Sequence, residues 1–293
     1  VAKLPQQRIE DGLVMVRLIE GTLGSLKFEG NSYADSDYLR SYISHEDEAE
    51  AVDTRELEND ILTYNRINDE RLQAELRAGE SFGLTDIVIR VDEKPRNKAQ
   101  VILDNQGYES TGEVQLSGLY QRHKLFLTGD RSLAYLLVAD GIQSVNTSYN
   151  APVSNSLWRV GSSLTYTATK INQGDFSALD VKGESVRLGL ESSYLAYSTP
   201  STWVNGLLAY NGTWSETEIT SQPFVGYRNH QIQVGGEISW VGNHWQLNGR
   251  QLFRQAVYNE LGGADDDRDI FIGNTKLSAI YSAPPSSYFV ADF

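Results

Sequence analysis

From Lys98 onward, the chain consists largely of segments in which apolar and polar side chains alternate at successive positions. A period of two is that of a β-strand, whose side chains point to opposite faces in turn. The alternation continues for roughly ten residues or more, whereas strands of water-soluble sandwiches usually have about five or six. This length favours strands that cross a membrane, with the apolar face outward and the polar face inward. In residues 231–240 the apolar face carries Ile232, Val234, Gly236, Ile238 and Trp240.

The pattern predicts roughly ten antiparallel strands and no helix in this region. Because ten is an even number, a small closed barrel and the first part of a larger one both agree with the sequence. The predicted strands lie near residues 99–108, 113–121, 131–140, 145–152, 157–169, 184–198, 202–215, 230–241, 244–257 and 269–282.

Composition narrows the classes of protein further. A mean hydropathy of -0.39 is compatible with membrane strands, because only every second residue of such a strand faces lipid. No apolar run approaches the roughly 20 residues of a membrane helix. The absence of cysteine excludes disulfides, thiolate zinc sites and cysteine catalysis, and a net charge of -14 argues against a nucleic-acid partner.

The residues before Lys98 follow a different pattern. An apolar, β-rich run at residues 13–20 precedes a predicted β-α-α-β-β unit over Leu23–Glu93. Its first helix follows Asp35 or Ser36, and its second helix is capped by Asp53 with Glu56 three residues on. Two strands, near Leu72–Leu76 and Ile87–Val91, complete the unit. The stretch 94–97, KPRN, has no apolar anchor and separates the unit from the long strands.

Three phrases of the sequence resemble the outer-membrane transporters of two-partner secretion systems. They are LPQQRIEDGLVMVRLIEGTLGSLKFEGN at residues 4–31, LENDILTYNRINDERLQAELRAGESFGLTDIVIRVDEKP at 57–95 and VILDNQGYESTG at 101–112. In that family a plug helix and two periplasmic α+β domains, called POTRA domains, precede a barrel of about sixteen strands. The resemblance implies an α+β POTRA domain followed by antiparallel transmembrane barrel strands.

The resemblance also implies domain bounds. Residues 1–20 would be the end of a first POTRA domain, residues 21–95 the second, and residues 96–293 the first ten or so strands of the barrel. We therefore expect a fragment that lacks most of the first POTRA domain and the last barrel strands, including the arginine-glycine loop motif of the family.

The function implied by the resemblance is polypeptide export. A pore in the bacterial outer membrane, with its POTRA domain in the periplasm, would bind the N-terminal secretion domain of a partner exoprotein and export it without nucleotide. Outer-membrane lipid would be the other partner, and neither a cofactor nor a metal is expected. The alternatives are insertion of other barrels, display of a fused passenger domain, a passive porin, or a soluble β-rich adhesin.

One predicted strand offers a docking edge for the exoprotein. An extended client can add a strand to an exposed sheet edge through backbone hydrogen bonds. The alternative is that the charges of this strand only protect the edge from aggregation. The candidate residues are Arg71, Leu72, Gln73, Ala74, Glu75, Leu76, Arg77 and Ala78.

The polar faces of the long strands predict the lining of the pore. Inward-facing charges of both signs would give a hydrated wall along which an unfolded chain can slide without binding tightly. The candidate residues are Arg187, Glu191, Glu237, Arg250 and Arg254.

Two motifs point to other chemistry but fail in their context. Residues 79–83, GESFG, match a nucleophile elbow, yet the following segment is a predicted strand where the elbow requires a helix. The segment is therefore interpreted as a turn, and the protein is predicted not to be an enzyme. Asp265, Asp267 and Asp269 have calcium-loop spacing, but Ile270 and Lys276 stand where glycine and glutamate are needed. An acidic loop is favoured, and a loose surface calcium site stays open.

Overall fold

The computed structural model describes residues 2–3, 14, 16–18, 21–44, 51–153, 156–261, 268–283 and 287–292. Contacts divide the chain into two compact units, Val1–Lys94 and Pro95–Phe293. Within the described ranges, no helix is long and apolar enough to cross a membrane.

The first unit contains the predicted β-α-α-β-β order, which is confirmed. A short ladder between β1 (Ala2–Lys3) and β2 (Arg17–Leu18) precedes it, and half of the predicted strand at 13–20 lies outside the described residues. The elements are β3 (Thr22–Glu29), α1 (Ser36–Arg40), α2 (Thr54–Ile67), β4 (Arg71–Ala78) and β5 (Leu84–Asp92).

Aspartates begin both helices of the unit. The Asp35 carboxylate accepts a hydrogen bond from the Asp37 N–H at 2.9 Å, so Asp35 rather than Ser36 is the cap of α1. The Asp53 carboxylate accepts from the Arg55 N–H at 2.9 Å at the start of α2. A side-chain oxygen at this position satisfies an N–H that the first helical turn leaves without a partner.

The core of the first unit lies between its sheet and its helices. The central strand β5 runs parallel to β3 and antiparallel to β4, so β4 lies at a sheet edge. Alternate β5 residues, Ile87 and Ile89, are fully buried with Leu57 and Tyr64 of α2. The periods of strand and helix therefore bring their apolar sides together, as the sequence predicts.

Glu93, the residue that follows β5, accepts hydrogen bonds from the turn that follows β3. Its carboxylate accepts hydrogen bonds from the backbone N–H groups of Ser32 (3.0 Å), Tyr33 (3.1 Å) and Ala34 (2.7 Å), and from the Ser32 hydroxyl. Burial opposes ionisation of this carboxyl, but the hydrogen bonds outweigh burial and lower its pKa. The turn after β3 is thus tied to the residue that follows β5.

The second unit is one antiparallel sheet of eleven strands in the described part of the chain. Each strand pairs with its neighbours in sequence, so the sheet is a simple meander, and its antiparallel strands confirm that prediction. The strands are β6 (Asn97–Asp104), β7 (Gln115–His123), β8 (Arg131–Ala139), β9 (Ile142–Pro152), β10 (Trp158–Lys170), β11 (Lys182–Ser198), β12 (Thr202–Ile219), β13 (Gln222–Val241), β14 (Trp245–Leu261), β15 (Arg268–Ala283) and β16 (Ser287–Asp292).

Several predicted strand bounds are wrong. The first strand ends at Asp104 rather than near residue 108, and β16 is an eleventh strand that the alternation did not predict. The predicted gap between residues 215 and 230 contains only a two-residue turn, Thr220–Ser221, with φ of 52° and 61°. Backbone pairing continues there although the side chains no longer alternate, because ladder hydrogen bonds do not depend on side-chain polarity.

We call the end of this sheet at which β6 begins the entry end. The β7–β8 connection (124–130), the β9–β10 connection (153–157) and the three-residue connections 199–201 and 242–244 lie there. The opposite end carries the longer connections 105–114 and 171–181, which contact each other through the Asn172 N–H and the Ser110 carbonyl at 3.0 Å.

Candidate functional site

The predicted docking strand, β4, has a neighbour on one side only among the described residues. It pairs with β5 from Arg71 opposite Asp92 to Ala78 opposite Thr85. All eight candidate edge residues therefore lie on one edge strand.

Two contacts establish which amides of β4 face outward. One residue beyond the strand, the Gly79 N–H donates to the Leu84 carbonyl at 3.0 Å, so odd-numbered amides point toward β5. The Leu72 N–H donates to Asn65 Oδ1 of α2 at 2.7 Å, on the opposite side. Because the direction of backbone groups alternates along a strand, Ala74 and Leu76 point outward and Glu75 points inward.

Asn65 covers the beginning of the edge. Its side chain accepts from the Leu72 N–H and also donates to the Leu72 carbonyl at 3.0 Å, which imitates a neighbouring strand. The Arg71 guanidinium donates to the Asn65 carbonyl as well. The edge that remains open to a client is therefore the shorter segment Ala74–Ala78. This role of Asn65 was not predicted, because its separation from Leu72 in the sequence matches no motif.

The two faces of the open segment differ in chemistry. Glu75 pairs with Arg77 at 3.0 Å and with Arg90 of β5 at 2.7 Å, and Arg77 reaches Glu29 of β3 at 3.4 Å. The hydrogen bond from Arg77 is the main reason that the pKa of Glu75 is lowered. On the other face Leu76 is 45% exposed. A strand added here would meet an apolar side chain on one face and charges on the other.

In the second unit, the exposed fractions on β13 separate two faces. Ile232, Val234 and Ile238 are 57%, 53% and 51% exposed, while Gln231 and Gln233 are less exposed. We call the side of Ile232, Val234 and Ile238 the apolar face and the opposite side the polar face. The predicted alternation of this strand is confirmed.

Aromatic side chains lie toward both ends of the apolar face. Toward the entry end, Trp245 contacts Tyr281 with a centroid distance of 4.7 Å, and Trp240 lies on the neighbouring strand. Toward the opposite end, the Tyr210 hydroxyl lies 2.7 Å from His230 Nδ1. The ten residue-to-residue steps from His230 to Trp240 span roughly 33 Å along the strand, or about 25 Å at a strand tilt of about 40°. That is the height of the apolar band of a membrane barrel.

All five predicted pore-lining residues lie on the polar face. Their register places Glu191 opposite Ala209, Gln233 opposite Arg254, and Glu237 opposite Arg250. Glu237 Oε1 lies 3.0 Å from Arg250 Nε, and the Asn150 amide donates to Glu191 at 3.2 Å.

The polar face contains a cavity of about 400 Å³ that brings some of these residues together. Glu191 and Arg250 line it with Gln233, Asn150 and Arg131, so carboxylate, guanidinium and amide groups share one polar recess. Arg187 and Arg254 lie on the same face but outside the lining of this cavity. The polar face therefore carries charges of both signs, and its role as the lining of a pore stays a prediction.

The GESFG segment lies in a turn, and part of the spaced-aspartate motif lies outside the described residues. Ser81 of the GESFG segment lies in the turn between β4 and β5, where the Leu84 N–H donates to its carbonyl. Asp265 and Asp267 lie outside the described residues. Across the described ranges, no group of three or more acidic or histidine side chains could hold a metal ion.

Two solved structures of bacterial proteins share the fold of this chain. CdiB from Escherichia coli superposes with a TM-score of 0.69 at 14% identity, covering 99% of this chain and 56% of that chain. CdiB from Acinetobacter baumannii gives a TM-score of 0.58 at 12% identity, covering 96% and 54%. The fold class of a POTRA domain followed by barrel strands is thereby confirmed.

Sequence comparison finds relatives of the same kind. The heme/hemopexin transporter protein HuxB of Haemophilus influenzae is 23% identical over 295 residues, covering 98% of this chain and 50% of the relative. HuxB of strain 86-028NP is 26% identical over 214 residues, covering 72% and 38%. The chain thus spans about half the length or less of these relatives.

The family model for the haemolysin secretion/activation protein ShlB/FhaC/HecB matches residues 83–257, which is more than half of the chain. The match includes β5, most of the meander and the polar-face residues, and members of this family are transporters. The chain therefore belongs to the ShlB/FhaC/HecB family, as the resemblance to two-partner secretion transporters predicts.

Proposed function

We propose that this chain is part of an outer-membrane pore that recognises a secreted partner exoprotein through its first unit and exports it without nucleotide. In this proposal residues 1–20 end a first POTRA domain, residues 21–95 form the second, and residues 96–293 form barrel strands. The open backbone of Ala74–Ala78 carries the proposal, because it is a sheet edge that can accept a strand from an extended client.

Membership of this family supports a placement of the second unit in the outer membrane. The apolar face contacts lipid, and the polar face lines the pore. The first unit lies in the periplasm, so the entry end of the sheet, where β6 follows Arg96, is the periplasmic end. The client is the N-terminal secretion domain of an exoprotein, and its extended strands add to β4.

The mixed charges of the polar face support passage of an unfolded chain. Arg250 Nε and Glu237 Oε1 form an ion pair at 3.0 Å, so neither side chain strongly attracts an opposite charge on the client. Hydrated pairs of this kind attract a passing charge only weakly. The wall therefore lets polar and charged segments slide through without holding them.

Proline substitution in the full-length transporter tests the docking edge. Proline removes an amide donor, and at Ala74 or Leu76 that donor points away from β5, where an edge strand tolerates proline. Ala74→Pro should reduce exoprotein secretion about tenfold, since one lost intermolecular hydrogen bond contributes about 1–1.5 kcal/mol. Leu76→Pro should act alike.

Two controls separate docking from folding. Ala74→Ser keeps the amide and should secrete normally, while Glu75→Pro breaks the ladder to β5 and should lower the thermal stability of the first unit. The level of assembled barrel is measured for every variant. Normal secretion by assembled Ala74→Pro and Leu76→Pro proteins would show that strand addition at this edge is not how the client is recognised.

A further inference from the structure

The β7–β8 connection at the entry end presents three apolar side chains in succession to solvent. Leu125, Phe126 and Leu127 are 39%, 74% and 53% exposed. A seven-residue turn of an ordinary water-facing loop is polar, because exposed apolar surface is unfavourable in water. These side chains therefore need an apolar environment at this end of the sheet.

A fully buried carboxylate holds this turn in shape. Asp130 accepts hydrogen bonds from the backbone N–H groups of Leu125 (2.7 Å), Phe126 (2.8 Å) and Leu127 (2.8 Å), and from the Tyr149 hydroxyl (2.9 Å). Burial opposes its ionisation, but these hydrogen bonds prevail and lower its pKa. The apolar tip is thus displayed by a rigid turn.

Beside the turn, the apolar face contains a groove of about 450 Å³. Phe126 closes one side, with its ring 5.7 Å from that of Tyr149. The volume lies within the range of ligand sites, roughly 300 to 1,000 Å³. Most of the surface lining it is apolar or belongs to small side chains. The strand residues that line it include Tyr120, Ala134, Thr147, Ser162, Leu164 and Leu188.

One cation lies in the lining of this groove. Arg122 is half-buried, one residue before the end of β7, and its Nε is shielded from solvent with no hydrogen-bond partner among the described residues. A buried guanidinium N–H without a partner is costly, and carboxylate and phosphate oxygens are the acceptors that a guanidinium fits best. Because no carboxylate is among the residues that line the groove, a phosphate of a bound ligand is the acceptor that Arg122 would meet there. The groove thus combines an apolar recess with a cation at the boundary of the membrane.

We propose that this groove binds a single glycerophospholipid of the periplasmic leaflet. The acyl chain lies along Ala134, Thr147 and Ser162 under Phe126, and the phosphodiester accepts a hydrogen bond from Arg122. The groove is continuous with the apolar face, which in the proposed placement contacts lipid. This inference rests on that placement of the second unit and adds a specific lipid site to it.

Photo-crosslinking in lipid nanodiscs tests the inference. The full-length protein is reconstituted in phosphatidylcholine with a few per cent of a phosphatidylglycerol that carries a diazirine in its acyl chain. Labelled peptides are identified by mass spectrometry. Labelling should concentrate on 124–130 and on the adjacent parts of β8, β9 and β10. Diacylglycerol with the same diazirine chains, which lacks the phosphate, should label these peptides about tenfold less.

Matched variants locate the recognition. Arg122→Gln should reduce labelling by phosphatidylglycerol about tenfold, whereas Arg228→Gln, on the same face near the opposite end, should leave it unchanged. Ala134→Trp should reduce labelling by filling the groove. Assembly of each variant is checked by its heat-dependent mobility in gels.

The outcomes also separate this inference from the proposed function. Equal labelling by the two probes, or unchanged labelling of assembled Arg122→Gln and Ala134→Trp proteins, would overturn the lipid site while leaving export in place. Failure of the parent protein to enter nanodiscs, with no labelling on any part of the apolar face, would instead overturn the membrane placement itself.

Discussion

A charge placed at Val234 tests the assignment of the two faces most directly. Val234 lies on the apolar face, 53% exposed, opposite Leu208 of β12 and Phe253 of β14. Its position between His230 and Trp240 puts it near the middle of the aromatic-bounded band. An arginine there would face lipid with no acceptor among these neighbours.

The expected cost follows from this depth. Arginine on the lipid face of a barrel is unfavourable by about 2–4 kcal/mol at the midplane and by about 0–1 kcal/mol near the interfaces. Val234→Arg should therefore lower the equilibrium constant for folding into the membrane by about 30- to 1,000-fold. In cells, the level of assembled full-length protein should fall accordingly.

The control is an arginine on the polar face of the same strand. Gln231 lies opposite Ala256 and Asn211, both uncharged, so Gln231→Arg should leave assembly intact. Gln233 is less suitable, because it lies opposite Arg254 and an arginine there adds like-charge repulsion.

Assembly is measured as the heat-modifiable fraction in outer-membrane preparations, and the folding free energy by urea titration in liposomes. Equal loss for Val234→Arg and Gln231→Arg, or a larger loss for Gln231→Arg, would show that the faces are assigned wrongly.

Three further predictions concern the turns and the domain boundary. Residues 21–95 should fold alone in water, and a random-coil spectrum in circular dichroism would contradict this boundary. In that domain Glu93→Gln should lower the unfolding free energy by about 1–2 kcal/mol at pH 7, and the exposed Glu80→Gln should not. Folding lowers the pKa of Glu93, so its contribution to stability is present above the usual glutamate pKa of about 4.3 and is lost as pH falls through the folded pKa. The unfolding free energies of the parent and of Glu93→Gln, measured by urea titration, should therefore converge in acid. A difference that stays constant with pH would refute this reasoning. Asp130→Asn should weaken the turn 124–130 and speed its proteolysis in the assembled protein. Asp140→Asn, in the β8–β9 turn at the opposite end of the sheet, should not.

The order of elements in the first unit and the two faces of the long strands could be predicted from the sequence alone. Periods of 3.6 and 2 in side-chain polarity report which side of a helix or strand is buried, and that information is local. The cap Asp53, the stripe of Leu57 and Tyr64, and the exposure of Val234 could be predicted from such local patterns, whereas the structure was needed to choose Asp35 over Ser36 as the cap of α1. The five charges of the polar face were found by the same counting.

Features that depend on contacts between elements could not be predicted from the sequence and required the folded structure. Which amides of β4 point outward follows from pairing with β5, and the cover of Leu72 by Asn65 requires α2 to lie beside that strand. The strand pairing through residues 216–229 produces no alternation of polar and apolar side chains, because it is formed by backbone hydrogen bonds. The groove beside Phe126 depends on Asp130, which accepts hydrogen bonds from three backbone amides of its own turn and from the Tyr149 hydroxyl of β9. No spacing in the sequence indicates this arrangement.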